Sequence, residues 1–365
     1  MSIVTKIFRI FVGSLFIFSG LLKINDPVGF AIKLSEYFEV FASDFAGFFH
    51  LFIPYSLTLA VVLCLLEIVL GINLLTKHST NYTINLTLLL IVFFTFLTFY
   101  SAYFNKVTDC GCFGDAIPLN PWQSFIKDIV LLVMILWLFS KKNTIEPTMS
   151  ERSRNAFFVI SLVAGFFLAV IAIRHLPFLD FRAYKEGVNI EKAMQPSEPL
   201  KYKYIMKKDG ELFEFMEYPT DPSYEYVDMQ ITNPEAQAKI TDYSIWNDEG
   251  DFTQETFEGK KLMIIIQNVE KTKEKSFKKF NEIEKDLGKL NLEPIIITAS
   301  GQEEIEELKN KFKWNDIAFY YGDATVLKTM IRSNPGFILI DQGTIIKKWH
   351  FRDVPSLNKL KEIAG

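Results

Sequence analysis

Apolar residues run almost unbroken through five stretches of the first half of the chain, whereas the second half breaks into short apolar blocks between charged ones. The five stretches fall near residues 3–22, 53–75, 84–104, 122–139 and 156–173. Each approaches the roughly 20 residues that a helix needs to cross a bilayer. Residues 28–49 are aromatic and only mildly amphipathic, which predicts a segment that lies at the membrane interface or re-enters it. Beyond residue 177 the period changes. Short strands are predicted over 202–231, with a turn at Lys208-Asp209-Gly210. From 242, strand and helix alternate. A buried strand at 262–266 precedes a helix over 273–287, a strand at 294–298 and a helix over 303–312. A strand at 317–321 and a helix over 324–331 follow. A hairpin then turns across Asp341-Gln342-Gly343 between 336–340 and 344–349, and a helix over 356–363 closes the chain. Strands alternating with helices predict a sheet covered by helices. The fold class expected is a multi-domain membrane protein, an α-helical transmembrane bundle followed by an α/β domain. The division expected is a bundle over 1–140, a cytoplasmic loop and fifth helix over 141–176, a linker and small β-rich segment over 177–240, and the α/β domain over 241–365.

Composition sharpens this picture. The chain has 365 residues, enough for two or three domains, and a net charge of −4, which gives no reason to expect nucleic acid as a partner. Most of the 35 phenylalanines lie in the first half, as suits a surface facing lipid, so the bilayer is the first partner implied. Basic residues choose alternate loops: Lys6 and Arg9 first, then Lys77 and His78, then Lys141, Lys142, Arg152 and Arg154. The positive-inside rule places these loops and the N-terminus in the cytoplasm. Five spans then put the loop around residue 110, and everything after residue 173, on the periplasmic side of a bacterial inner membrane. Lys6 and Arg9 ahead of an apolar core would also suit a signal peptide. No small-x-small site precedes Lys23-Ile24-Asn25-Asp26-Pro27, however, so a retained span is expected.

Candidate chemistry is sparse and local. There are three cysteines, Cys64, Cys110 and Cys112, and none after residue 112. Asp109-Cys110-Gly111-Cys112-Phe113-Gly114-Asp115 follows the third span. Two thiols separated by one glycine can close a small, strained and exchangeable ring, which makes Cys110 and Cys112 the candidate catalytic pair. The plainer reading is a staple that shapes the loop. A metal site is not expected, since no neighbouring His or Cys completes a ligand set. Cys64, mid-span and apolar on both sides, reads as an ordinary buried cysteine. Charge inside spans is costly and marks a function or a pairing. Lys23, Asp26, Glu67 and Asp128 are the candidates, either as a structural pin such as Lys23 with Glu67 or as a proton or quinone site. Quinone is the one cofactor this leaves in view.

The run Phe18-Ser-Gly-Leu-Leu-Lys-Ile-Asn-Asp-Pro-Val-Gly29, with Leu66-Glu67-Ile68 and Gly71-Ile72, resembles the DoxX-like membrane family. Cys110-Gly-Cys-Phe-Gly114 followed by Lys127-Asp128 resembles its MauE branch, the methylamine-utilisation membrane proteins. The resemblance covers about residues 3–140. It implies a four-helix bundle and a role in maturing a disulfide-rich periplasmic dehydrogenase subunit, with Cys110 and Cys112 as the redox pair. The fifth span and long C-terminal half depart from that pattern and are similar to DoxX-family chains of Bacteroidetes-type bacteria. From residue 242 the chain resembles a membrane-anchored, periplasmic thioredoxin-like domain, carried by Asp248-Glu-Gly250 and by Ser333-Asn-Pro335-Gly-Phe-Ile-Leu-Ile340 with Asp341-Gln-Gly-Thr-Ile-Ile346. Pro335 stands at the position of that family's cis-proline. The stretch where redox members carry Cys-x-x-Cys at a helix start is here Gln267-Asn-Val-Glu-Lys-Thr-Lys-Glu-Lys275, without a thiol. The charged run over 271–289 reads as a solvated helix face.

Two functions are therefore expected. One is a membrane thiol–disulfide or electron-transfer protein that works through Cys110 and Cys112, with the thioredoxin-like domain holding a periplasmic client protein. The other is a non-catalytic membrane-anchored assembly or binding protein. The absence of a second cysteine pair weighs against a complete electron relay within the chain.

Overall fold

Among the described residues, six α-helices occupy the first half, five of them long and apolar enough to cross a membrane. The computed structural model describes residues 2–107 and 111–364. Helix α1 (Ile3–Asn25) is followed by α2 (Pro27–Asp44), a 3-10 turn over Gly47–Tyr55, and α3 (Ser56–Thr76). Then come α4 (Thr80–Phe104), α5 (Pro121–Lys141) and α6 (Glu151–Arg174). The chain divides into two compact units, Met1–Phe181 and Arg182–Gly365.

In the first unit α1 lies against α3, because glycine lets the two backbones approach. A methyl group on Gly71 would sit 2.6 Å from the carbonyl oxygen of Gly13, and one on Gly20 would meet Ile68 at 2.7 Å. Arg9 of α1 donates to the carbonyls of Leu74 (2.5 Å) and Leu75 (2.8 Å) at the C-terminal end of α3, supplying orphan acceptors with donors and opposing the helix dipole. The segment expected at the interface forms helix α2. Asp26 caps it by accepting from the Gly29 N–H (2.9 Å), Pro27 occupies its first position, and Phe30, Leu34, Tyr37 and Phe41 are buried. Its far end is tied to α4 by Tyr37–Ser101 (2.8 Å) and by the Tyr100 hydroxyl donating to Asp44. Asn25 and Leu179 exchange two hydrogen bonds (2.7 and 2.9 Å), so the chain leaves α6 beside the end of α1.

The second unit carries two sheets. Strands β1 (Tyr202–Lys208), β2 (Glu211–Phe215) and β3 (Glu225–Ile231) form an antiparallel sheet in the order β2-β1-β3. A short helix α7 (Ile190–Ala193) precedes it. The larger sheet joins β4 (Ile245–Asn247), β5 (Gly250–Asp251), β6 (Lys260–Ile266), β7 (Leu292–Thr298), β8 (Ala318–Gly322), β9 (Gly336–Asp341) and β10 (Thr344–His350), in the order β10-β9-β6-β7-β8-β4-β5. Strands β6, β7 and β8 run parallel, β9 runs antiparallel beside β6, and β10 runs antiparallel beside β9. Helices α8 (Lys275–Asn281), α9 (Gln302–Phe312), α10 (Ala324–Met330) and α11 (Leu357–Ala364) alternate with these strands. A membrane bundle followed by this α/β arrangement is the fold class expected.

One predicted helix is shorter than its pattern. The run over 273–287 becomes α8 plus a 3-10 stretch, Glu284–Leu290. Its buried residues Phe277, Phe280, Ile283 and Leu287 keep the three- and four-residue spacing of one helix face across the change of winding. Trp314 stands edge-on to Phe277 and Phe280, and its indole N–H donates to Asn281, pinning the helix end where the tighter winding begins.

Candidate functional site

Ser19 and Lys23 are four residues apart on α1, so both look out from one face of the helix. The glycine-mediated approach of α1 to α3 brings that face against Glu67. The Lys23 ammonium pairs with the Glu67 carboxylate, and each side chain is only 3% exposed. The Lys23 ammonium also lies 4.9 Å from the ring centre of Phe94 and 5.2 Å from that of Phe30, whose faces favour a cation. Unpaired, either charge would be prohibitively costly to bury, so each partner makes the other tolerable. Ser19 stands within hydrogen-bond distance of two acceptors, Glu67 Oε2 (3.0 Å) and the backbone carbonyl of Cys112 (2.9 Å). One hydroxyl has one proton, so it links the intramembrane ion pair to the cysteine loop while satisfying only one acceptor at a time.

On the other side of the same space stands α5. Asp128, 1% exposed, receives the Thr98 hydroxyl at 3.0 Å and the Lys127 ammonium at 2.6 Å. Adjacent residues on a helix point about 100° apart, so the Lys127 stem must bend back toward its neighbour. Its ammonium then lies 5.3 Å from the ring centre of Phe113, the residue after Cys112. Ser19, Lys23, Glu67, Cys112, Lys127 and Asp128 all line one cavity, closed by Phe16, Phe30, Phe94 and Phe113. Its volume is about 40 Å³. A water molecule needs at least about 10–15 Å³ on that scale, so the space suits a few waters and not a quinone ring.

The loop over this cavity turns at Gly111 and Gly114, both at positive φ (64° and 56°), with the Gly114 N–H donating to the Gly111 carbonyl (3.1 Å). Gly111 packs on the stem of Lys33, and Gly114 lies near the carbonyl of Leu22. Cys112 is half-buried. Cys110 lies outside the described residues, with Thr108 and Asp109. Of the other predicted polar residues, Lys23, Glu67 and Asp128 come together, whereas Asp26 serves as the cap of α2. Cys64 is fully buried in α3 with a free thiol. Ser19, Thr98 and Lys127 were not among the predicted site residues; the signal for Ser19 was its helical spacing from Lys23. Among the described residues, no cluster of His, Cys, Asp and Glu could hold a metal ion.

Residues 1–141 match the family model of methylamine utilisation protein MauE. This MauE-type stretch takes in α1 to α5 and every residue that lines the cavity. Protein TlpB of Flavobacterium psychrophilum is 32% identical over 168 residues, which is 45% of this chain and 41% of that relative. The chain thus spans well under half the length of the relative it matches. No solved structure matches the chain.

In the α/β unit the position that would hold redox cysteines is occupied by amides. The Gln267 N–H donates to Asn334 Oδ1 (3.0 Å), and the Gln267 side chain donates to the carbonyls of Ile331 (2.6 Å) and Ser333 (3.2 Å). Asn334 returns a hydrogen bond to the Asn268 carbonyl (2.6 Å), and the Asn334–Pro335 peptide is cis. These groups satisfy one another and present no nucleophile.

Proposed function

We propose that this MauE-type membrane protein carries out thiol–disulfide exchange through Cys110 and Cys112, and that its cysteine-free α/β unit engages the client protein. The observation that carries the reading is the cavity: Cys112 lines it together with two buried ion pairs, and Ser19 ties its backbone to one of them. Polar groups buried at such cost beside a half-buried thiol are hard to account for by a loop staple alone. In the exchange, a client thiolate attacks the Cys110–Cys112 disulfide and a mixed disulfide forms. A second client thiolate then releases it. The client gains a disulfide, and two electrons pass to the pair. Its reoxidation calls for a second acceptor, for which a membrane quinone is the class expected. Such a quinone would meet the loop from outside, given the size of the cavity.

The basic ends of the spans support a cytoplasmic N-terminus, with the cysteine loop and the α/β unit in the periplasm. Reporter fusions after Lys142 should then read cytoplasmic, and fusions after Glu198 periplasmic. Alkylation of membranes from growing cells should trap both reduced and oxidised forms of the pair, and a Cys112→Ser variant should accumulate mixed disulfides through Cys110. A pair that is always oxidised and captures no partner would leave the alternative, a membrane-anchored assembly protein with a stapled loop.

A further inference from the structure

We infer that Lys127, held in place by Asp128 and Thr98, is the positioning residue that stabilises the thiolate of Cys112. This rests on the thiol–disulfide reading above and adds a named residue to it. A thiol becomes a useful nucleophile or leaving group when a nearby cation stabilises its anion. Three ammonium groups stand near the loop. Lys23 is sealed against Glu67 on the α1–α3 side, and Lys33 of α2, under Gly111, pairs with Glu36 (3.2 Å). Lys127 differs from both. Like Lys23 it lines the cavity with Cys112, but of the three it is the one that lies on the ring of the next residue, Phe113. At 22% exposure it is less deeply sealed than Lys23.

The Asp128 carboxylate does not cancel this role. An ammonium has three N–H donors, and Asp128 accepts one of them on Oδ1. Its other oxygen lies 3.0 Å from the Thr98 hydroxyl, whose one proton also has the Phe94 (3.0 Å) and Thr95 (3.2 Å) carbonyls within reach. The result is a cation fixed beside the loop by a carboxylate that is itself fixed from behind. The charged groups that line the cavity with Cys112 are thus Lys23 from α1, Glu67 from α3, and Lys127 and Asp128 from α5; Lys33 lies under Gly111, and Asp115 of the loop is exposed.

The test uses the full-length protein in bilayer nanodiscs, with Cys110→Ser as the background so that Cys112 is the accessible thiol and Cys64 stays buried. The rate of reaction with a small polar maleimide is followed from pH 5 to 10. The midpoint of the rise should fall below the roughly 8.5 of a free cysteine. Adding Lys127→Met should shift the midpoint upward and slow alkylation at pH 7 by about tenfold, the change that one pKa unit produces. Adding Lys127→Arg, which keeps the charge, should stay within about twofold of the background. A midpoint at or above the free-cysteine value in the Lys127 background would overturn the proposal without reference to any variant's folding. So would identical profiles for Met and Arg. Because the assay needs no client, a Cys112 that titrates low while the pair proves unable to cycle in cells would retire the exchange reading and leave the role of Lys127 standing.

Discussion

The cavity in the bundle and the segment after β6 in the α/β unit hold comparable numbers of polar groups and use them differently. Around Gln267, Asn268 and Asn334, neutral amides and backbone groups close a network on itself. Such a network rigidifies and specifies a fold, and leaves nothing to react. In the bundle, the polar groups are full charges in two separate pairs, and a water-sized space remains between them and Cys112. Charges kept apart around a space cost more than amides that satisfy each other. On the function proposed above, the α/β unit without thiols would bind and the membrane bundle with its two cysteines would react.

The contrast is broken most severely at Glu67. Removing one partner of a buried pair leaves an uncompensated charge, and Glu67→Leu should cost about 3–5 kcal/mol. Lys23→Met with Glu67→Leu should recover most of that, since both charges then go. Equilibrium unfolding of the full chain in mixed micelles would report it. A single variant that costs under about 1 kcal/mol would mean that the pair is not buried as described. Gly71→Ala should come next, at about 1–3 kcal/mol, because its new methyl would drive into the Gly13 carbonyl. A loss that extends to Ser19 and the loop, seen as faster alkylation of Cys112, would show that the α1–α3 approach sets the site.

Parts of this were legible in the sequence and parts were not. The five spans followed from hydropathy, and the central sheet of the α/β unit from runs such as Leu262–Ile266 between charged helices. Glu67 and Asp128 announced themselves because charge is rare in such surroundings. Ser19 did not, because a serine is common in a span and its meaning depends on residues 48 and 93 positions away. The edge hairpin of β4 and β5 was missed for a related reason: strands of three and two residues are too short to show a period. The break in the helix after 281 was not legible, because Phe277, Phe280, Ile283 and Leu287 keep the three- and four-residue spacing of an α-helical face.

The amide side of the comparison can be sharpened at Asn334. Asn334→Ala removes the acceptor for the Gln267 N–H and the donor to the Asn268 carbonyl, and should cost about 1–2 kcal/mol, the lower part of the range for unsatisfied polar groups in a partly buried setting. It should leave the alkylation profile of Cys112 unchanged. Full-length protein carrying Cys110→Ser and Cys112→Ser should not accelerate insulin reduction over dithiothreitol alone, since the α/β unit has no thiol. Activity there would mean that the amide network does not describe the whole chemistry of that unit.

The smallest effect lies where charge is exposed, as at Asp221 beside the β2–β3 connection. Its carboxylate accepts from the Ser223 N–H (3.0 Å) and from Lys208 Nζ (3.2 Å). The Ser223 hydrogen bonds first, and Lys208 second, hold its pKa down at about 2, below the ordinary 3.8. A carboxyl depressed in the folded state favours folding wherever it is ionised. The contribution is complete above the unfolded value near 4, and it is lost as pH falls through that value toward about 2. The group is open to solvent, so salt should weaken the effect further, in contrast to the buried Lys23–Glu67 pair. Asp221→Asn keeps an oxygen for the Ser223 N–H and should lower stability slightly at neutral pH, a loss that fades as pH falls from about 4 to 2. Carboxyl-carbon NMR of the full chain would check it directly: a resonance for Asp221 that titrates at 3.8 or above would remove the predicted dependence.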